Sequence, residues 1–243
     1  MIDIHCHILP DVDDGAADMA EALEMARMAA RSGVTDIVTT PHFRGEVEQL
    51  YLRDSVDRRF RALQDAVTRE EIPVRLHPGA EVLCLPETGA LAARHQLPTL
   101  GDGGYVLIEF YFDEAYAVMD QALAEIAECG YKIVVAHPER YGAIQRDPRR
   151  LERWARLGYV LQLNKGSVLG AFGPRPEQAA NEILELGLAH LFATDAHSCD
   201  GRTTHVGMLR RWVEACCDER YAQILLEENP RRVLRGRPMV GRD

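Results

Sequence analysis

A chain of 243 residues with 47% apolar residues can bury a full core, and at this length one domain of the larger α/β kind, spanning 1–243, is expected. A formal net charge of -10 argues against a surface built to neutralise nucleic-acid phosphates or to cling to an anionic membrane. No run of about 18 apolar residues and no signal-peptide pattern occurs, so neither nucleic acid nor membrane insertion is expected and the chain is read as cytoplasmic.

Short apolar runs alternate with longer amphipathic stretches, the pattern of βα units around a parallel sheet. Seven strands are expected near Ile2–His5, Asp36–Thr39, Val74–His77 leading into Ala80–Glu81, Val106–Glu109, Ile133–Ala136, Val160–Leu163 and Leu191–Ala193. Between them the apolar spacing predicts helices over Ala17–Arg31, Val47–Arg69, Ala117–Cys129, Arg149–Leu157 and Pro176–Leu186. Two more, Val206–Cys217 and Glu219–Glu227, follow, with a stop expected at Asn229-Pro230 because proline disfavours a helical residue before it. The last thirteen residues carry five arginines against one aspartate and are read as a solvated basic terminus.

Nearly every expected strand ends in a residue able to bind metal or phosphate. His5 and His7 follow the first strand, His42 the second, Glu81 the third and Glu109 the fourth. His137 and Arg140 follow the fifth, Asn164 ends the sixth, and Asp195 and His197 follow the seventh. In a parallel barrel the C-terminal strand ends share one mouth, so these residues would meet there. A lone histidine on an apolar strand is more often a satisfied core residue, and His77, His95, His190 and His205 keep that reading. His5-Cys6-His7 is a stronger signal, because residues i and i+2 of a strand point the same way and can share an ion, while Cys6 points oppositely and is expected to be packed and inert. Asp11, Asp13, Asp14 and Gly15 form an acidic turn. An Asx turn with glycine at positive φ explains part of it, but such a turn needs one aspartate, so one of the three is expected to reach the cluster.

The chain resembles the PHP (polymerase and histidinol phosphatase) superfamily, and within it the bacterial capsule and exopolysaccharide tyrosine-protein phosphatases. The carrying segments are Asp3-Ile-His-Cys-His-Ile-Leu-Pro10 with Asp13-Asp14-Gly15, Thr40-Pro-His42, Gly79-Ala-Glu81 and Leu107-Ile-Glu-Phe110, then Ala136-His-Pro-Glu-Arg140, Asn164 with Ser167, Thr194-Asp-Ala-His197 and Asp200-Gly-Arg202. The resemblance implies a distorted (β/α)7 TIM-like barrel and three divalent ions, manganese by preference, with Fe, Co, Mg or Zn as alternatives. It implies one ion at His5, His7, Glu81 and Asp195, a second at Glu81, Glu109 and His137, and a third at Asp14, His42 and His197. Phe43, where many relatives are expected to carry a second histidine, and Lys165, where a small residue is commoner, depart from the pattern without touching these ligands.

Charge then favours an anionic substrate. Asp14, Glu81, Glu109 and Asp195 contribute -4 and three divalent ions +6, leaving +2 before Arg140 and Arg202 are added as phosphate clamps. Metal coordination lowers the pKa of water from 15.7 toward about 7, which supplies a hydroxide for in-line attack on phosphorus. None of the six cysteines has an arginine six positions on, so the Cys-x5-Arg spacing of phosphatases with a cysteine nucleophile is absent, and no C-x-x-C pair suggests a zinc knuckle. The activity implied is a metal-dependent protein-tyrosine phosphatase, with the phosphotyrosine tail of a bacterial tyrosine kinase as partner. The alternatives are a histidinol-phosphate or other small-molecule phosphatase on the same scaffold and, less favoured, a non-catalytic metal-binding module.

Overall fold

Two of the strands break in mid-course, so seven barrel positions are built from nine segments. The computed structural model describes residues 1–241, apart from the side chains of residues 46–53. The segments are β1 (Ile2–Cys6), β2 (Asp36–Thr39), β3 (His42–Phe43), β4 (Arg75–Pro78), β5 (Glu81–Leu83), β6 (Tyr105–Glu109), β7 (Lys132–Ala136), β8 (Val160–Asn164) and β9 (Leu191–Ala193). Thr40-Pro41 interrupts the second position between β2 and β3, and Gly79-Ala80 interrupts the third between β4 and β5. All pairings are parallel: β1-β2-β4 form one sheet, and β3-β5-β6-β7-β8-β9 the other.

The chain just past β9 returns to β1. Asp195 N–H donates to the His5 carbonyl at 2.8 Å, His7 N–H donates to the Ala196 carbonyl at 2.8 Å, and a parallel bridge joins Cys6 to Ala196. The result is the distorted seven-position α/β barrel that the resemblance implies, with the seven strands that the count expects.

The helices are α1 (Met19–Arg31), α2 (Glu46–Arg69), α3 (Thr88–Ala93), α4 (Tyr116–Glu128), α5 (Gly142–Arg146), α6 (Leu151–Arg156), α7 (Lys165–Val168), α8 (Pro174–Glu185), α9 (Gly207–Cys216), α10 (Glu219–Gln223) and α11 (Asn229–Leu234). The start of α1 is set by reciprocal capping: the Asp18 carboxylate accepts from Glu21 N–H, and the Glu21 carboxylate accepts from Ala17 N–H. Its buried face, Ala22, Leu23, Met25, Ala26 and Ala29, joins a large outer core between helices and strands. A smaller inner core fills the barrel with Ile2, Ile4, Val38, Leu107, Val134, Ala136, Val160 and Leu191, closed at the end away from the mouth by Val233 of α11. Among the described residues, no helix is long and apolar enough to cross a membrane.

Two expectations fail at the C-terminal end. Asn229-Pro230 does not stop the helix: a π-helical stretch over Ile224–Glu228 leads directly into α11, with Pro230 in its first turn, where a missing N–H costs nothing. Nor is the basic tail simply solvated. Tyr105 donates to the Arg237 carbonyl at 2.9 Å and Lys132 to the Gly236 carbonyl at 2.6 Å. The buried Asn229 amide accepts from Val240 N–H and donates to the Val240 and His190 carbonyls. The backbone is therefore docked through Val240, while Arg231, Arg235 and Arg237 are exposed; Arg242 and Asp243 lie outside the described residues.

Candidate metal centre

The barrel mouth is polar because the first strand changes phase. Ile2 and Ile4 belong to the inner core, yet Cys6, two positions on, belongs to the outer one. The alternation flips at an irregularity in the β1–β2 register between Asp3 and Cys6, a bulge that sends His5 and His7 inward together. Cys6 is fully buried and burial pushes its thiol well above the usual range, as a packed, inert thiol requires. On β6 the inward alternation Tyr105, Leu107 continues to Glu109. The register sets His42 beside Glu81 and Glu81 beside Leu107, which brings three strand positions to one level.

His137 and Asp195 arrive differently. Each follows the end of a strand with φ in the left-handed region, 32° and 49°. A non-glycine residue adopts this conformation at a cost, one found mostly where side-chain placement serves function. The chain can leave the barrel there while its side chain stays over the mouth.

All nine expected ligands come together. His5 Nε2 lies 3.1 Å from Glu81, 3.4 Å from Asp195 and 3.3 Å from His7 Nε2, and His7 Nε2 lies 3.3 Å from Glu81 and 3.6 Å from Asp195. His137 Nε2 lies 3.1 Å from Glu81 and 3.5 Å from Glu109. Asp14 lies 3.2 Å from His42 Nε2 and 3.5 Å from His197 Nε2. Donor atoms within 4.8 Å of one another form four overlapping groups, among them His7, Asp14, His42 and His197, and His5, His7 and Glu81. Glu81 touches four of the five histidines, the position a bridging carboxylate needs.

The rings are presented as ligands. The Nδ1 of His7 is 2.8 Å from Asp13, that of His5 is 2.9 Å from the Gln162 amide oxygen, and that of His197 is 3.0 Å from the Asp195 carbonyl. Each acceptor fixes the proton on Nδ1 and leaves the Nε2 lone pair for a cation. His42 Nδ1 lies 3.1 Å from the Glu81 carboxylate, while His137 Nδ1 is buried without a hydrogen-bond partner, as is Glu139 Oε2. Nitrogen and oxygen donors without sulfur suit Mn, Fe, Co or Zn, so the residues present fit divalent metal.

Charge supports the same reading. Burial disfavours imidazolium, but Glu81 and Asp195 outweigh it at His5 and lift the ring to about 9. At His7, burial is likewise outweighed by Asp13 and Glu81, which raise it to about 10. Burial alone would raise Asp195, but His5 heads the positive neighbours that hold it at about 2. Glu109 is pushed up by burial and by the Glu81 charge. So many carboxylates tolerate one another only if positive charge sits among them; protonated rings supply it here, and divalent cations displacing those protons would supply it too.

The three aspartates of the first turn have separate jobs. Asp11 pairs with Arg59 on α2, Asp13 holds His7 and also accepts from His42 N–H at 3.0 Å, and Asp14 alone reaches the cluster. Gly15 corrects the reading of the turn: positive φ falls at Asp11 (56°), not at the glycine. Glycine is required because a Cβ there would lie 2.0 Å from the His7 carbonyl oxygen.

Arg140 and Arg202 both reach the mouth, at 3.4 Å and 2.5 Å from the Asp195 carboxylate. The Arg140 guanidinium lies 4.3 Å from the ring centres of both Phe112 and Phe172, an aromatic sandwich that fixes its plane. Asn164 donates to Asp195 at 2.6 Å. Asp13 as an orienting group, Gln162 and the two phenylalanines escape the sequence reading. Gln162 carries a signal, being polar and two residues before Asn164 on an otherwise apolar strand. His77 pairs with Asp36 at 3.0 Å, His190 Nδ1 accepts from Leu161 N–H and His205 Nδ1 from Gly207 N–H, so none of these enters the cluster.

The cluster floors a cleft of about 420 Å³ that also includes Arg44, Leu83, Tyr111 and Phe112. A larger groove of about 700 Å³ runs beside α8 past Arg149, Glu177 and Glu182, but none of the nine cluster residues lines it, so the chemistry belongs to the smaller cleft.

The family described as "Capsular polysaccharide synthesis, CpsB/CapC" matches residues 1–235. This chain belongs to that family. The tyrosine-protein phosphatase YwqE of Bacillus subtilis is 38% identical to this CpsB/CapC chain over 208 residues, spanning 84% of this chain and 80% of YwqE. A crystal structure from work on YwqE of Bacillus subtilis and CpsB of Streptococcus pneumoniae, described as unique metal-dependent tyrosine phosphatases, superposes with a TM-score of 0.90 at 34% identity, covering 100% of this chain and 97% of the other. A lactonase from Listeria monocytogenes, TM-score 0.62 at 12% identity over 96% of this chain and 94% of its own, shares the fold alone.

Proposed function

We propose that this CpsB/CapC chain is a metal-dependent protein-tyrosine phosphatase, a phosphoric monoester hydrolase acting on the phosphotyrosine tail of a bacterial tyrosine kinase that controls capsule or exopolysaccharide synthesis. The observation that carries the reading is the convergence of His5, His7, Asp14, His42, Glu81, Glu109, His137, Asp195 and His197 beneath two arginines at one barrel mouth. Three ions would be held, one by His5, His7, Glu81 and Asp195, one by Glu81, Glu109 and His137, and one by Asp14, His42 and His197, as the family resemblance implies. Manganese is the preferred metal.

Divalent cations held there would acidify water into a nucleophile and neutralise charge on the phosphoryl oxygens. The protein's own groups do the rest. Asp13 and Gln162 hold the His7 and His5 rings with Nε2 toward the cluster, and Glu81 ties the sets together. Arg140 and Arg202 present planar forks to the phosphate oxygens, with Arg140 held in plane by Phe112 and Phe172. Phenolate leaves with a pKa of about 10, far below that of an alkoxide, so the site can work without a strong general acid.

The test is turnover of a phosphotyrosine peptide before and after chelation, with metal content followed by elemental analysis and histidinol phosphate run in parallel. Loss of peptide turnover on stripping and its return with manganese are expected. Full turnover by verified metal-free protein, or preference for histidinol phosphate, would overturn the reading.

A further inference from the structure

Among the described residues, five large apolar side chains stand well out in solvent, and two of them, Tyr111 (54% exposed) and Phe112 (45%), are adjacent and line the metal cleft. Exposing two neighbouring aromatic rings costs solvation free energy at a site where polar side chains would serve the fold equally well. The loop that carries them, between β6 and α4, is held firmly. Gly142 N–H donates to the Phe112 carbonyl at 2.7 Å, Glu114 N–H to the Tyr111 carbonyl at 3.0 Å, and the preceding Phe110 N–H to the buried Tyr141 hydroxyl at 3.1 Å. The rings are therefore presented on a fixed platform.

The two rings differ in what they already touch. Phe112 has the Arg140 guanidinium on it at 4.3 Å and meets the His137 ring edge to face at 6.0 Å between centroids. It belongs to the support of the phosphate clamp. Tyr111 makes no such ring or cation contact among the described residues, lines the same cleft and is the more exposed of the two. A phosphate ester held by the arginines and the cluster would have its leaving group within the same cleft, whose lining includes Tyr111.

Resting on the phosphatase reading above, we propose that Tyr111 is the specificity residue that selects aryl over alkyl phosphates, its ring packing against the aromatic ring of the substrate. An aromatic pair contributes beyond its buried area, and an alkyl phosphate has no ring to offer it. The platform discriminates by the leaving group while the phosphate sites treat both substrate classes alike.

The experiment is inhibition of phosphotyrosine-peptide turnover by phenylphosphonate and by inorganic phosphate in the manganese-loaded protein, Tyr111→Ala and Tyr111→Phe, with thermal unfolding followed for each. Tyr111→Ala should raise the peptide KM and the phenylphosphonate Ki about tenfold. Its phosphate Ki should stay within about twofold, and Tyr111→Phe, which keeps the ring, should restore wild-type values. Equal weakening of both inhibitors, or no change in either, would overturn the assignment while leaving the phosphatase reading intact. No peptide turnover by the wild-type protein would remove that reading, and the assignment with it.

Discussion

The His7 imidazole and the Asp13 carboxylate, six residues apart across the acidic turn, face each other at 2.8 Å, and the same carboxylate oxygen accepts from His42 N–H at 3.0 Å. One aspartate thus sets the ring of one proposed ligand and the backbone of another. Asp13→Asn keeps the size but gives up the charge that secures the His7 tautomer. Metal affinity is expected to fall by about 10- to 100-fold, the usual effect of losing such a partner. Manganese titration of the stripped variant, read by regained turnover, measures it; an unchanged titration would show that Asp13 orients nothing of consequence.

Arg140 is held between two phenylalanine rings rather than by a carboxylate alone. Arg140→Lys keeps the charge and loses both the fork and the stacking plane. We expect kcat on a phosphotyrosine peptide to fall by about 10- to 100-fold, with metal content unchanged because Arg140 is not a ligand. Elemental analysis beside steady-state kinetics separates the two effects.

Gly15 leaves no room for a methyl group, whose carbon would sit 2.0 Å from the His7 carbonyl oxygen and 2.9 Å from Asp13. Both neighbours belong to the turn that shapes the site. Gly15→Ala should therefore destabilise the fold by on the order of 2 kcal/mol and weaken metal binding as well. Chemical denaturation with and without manganese is the measurement, and a wild-type midpoint would contradict the steric argument.

His190 supplies a pH signature away from the cluster. Burial lowers its ring to about 4, and its Nδ1 accepts from Leu161 N–H, a bond that protonation would break. The unfolded chain takes up this proton near pH 6.5, the folded one only near 4, so the unfolded state binds more protons in between. Its contribution to stability is intact above about pH 6.5 and is lost as pH falls toward 4, on the order of 2 kcal/mol after allowing for partial exposure. Urea unfolding at pH 7 and pH 5 should show the loss, and His190→Gln should reduce it by that amount, the remainder coming from groups such as His197, whose ring burial also lowers to about 4.

The seven barrel positions and eight of the nine cluster residues are legible because each leaves a local mark, an apolar run closed by histidine, aspartate or glutamate; Asp14 is one of three aspartates in a turn and is singled out only by the family resemblance. The bulge in β1 leaves none, since it depends on how β1 registers against β2. The left-handed turns at His137 and Asp195 are equally silent, because nothing local distinguishes a histidine or aspartate at positive φ from one in a strand. Pro230 misled for the opposite reason: its local preference is real, but it is overridden, since a π-helical stretch upstream runs straight into α11 and holds Asn229 in helical geometry. Phe172 reaches Arg140 from a distant loop, and only the folded chain reveals the sandwich.

The central claim is that these strand ends hold metal as three defined sets, and anomalous scattering at the manganese edge from crystals of the manganese-loaded protein tests it most directly. Three peaks are predicted at the barrel mouth, one enclosed by His5, His7, Glu81 and Asp195, one by Glu81, Glu109 and His137, and one by Asp14, His42 and His197. Manganese bound elsewhere, or a fully active crystal with no peak among these residues, would contradict it.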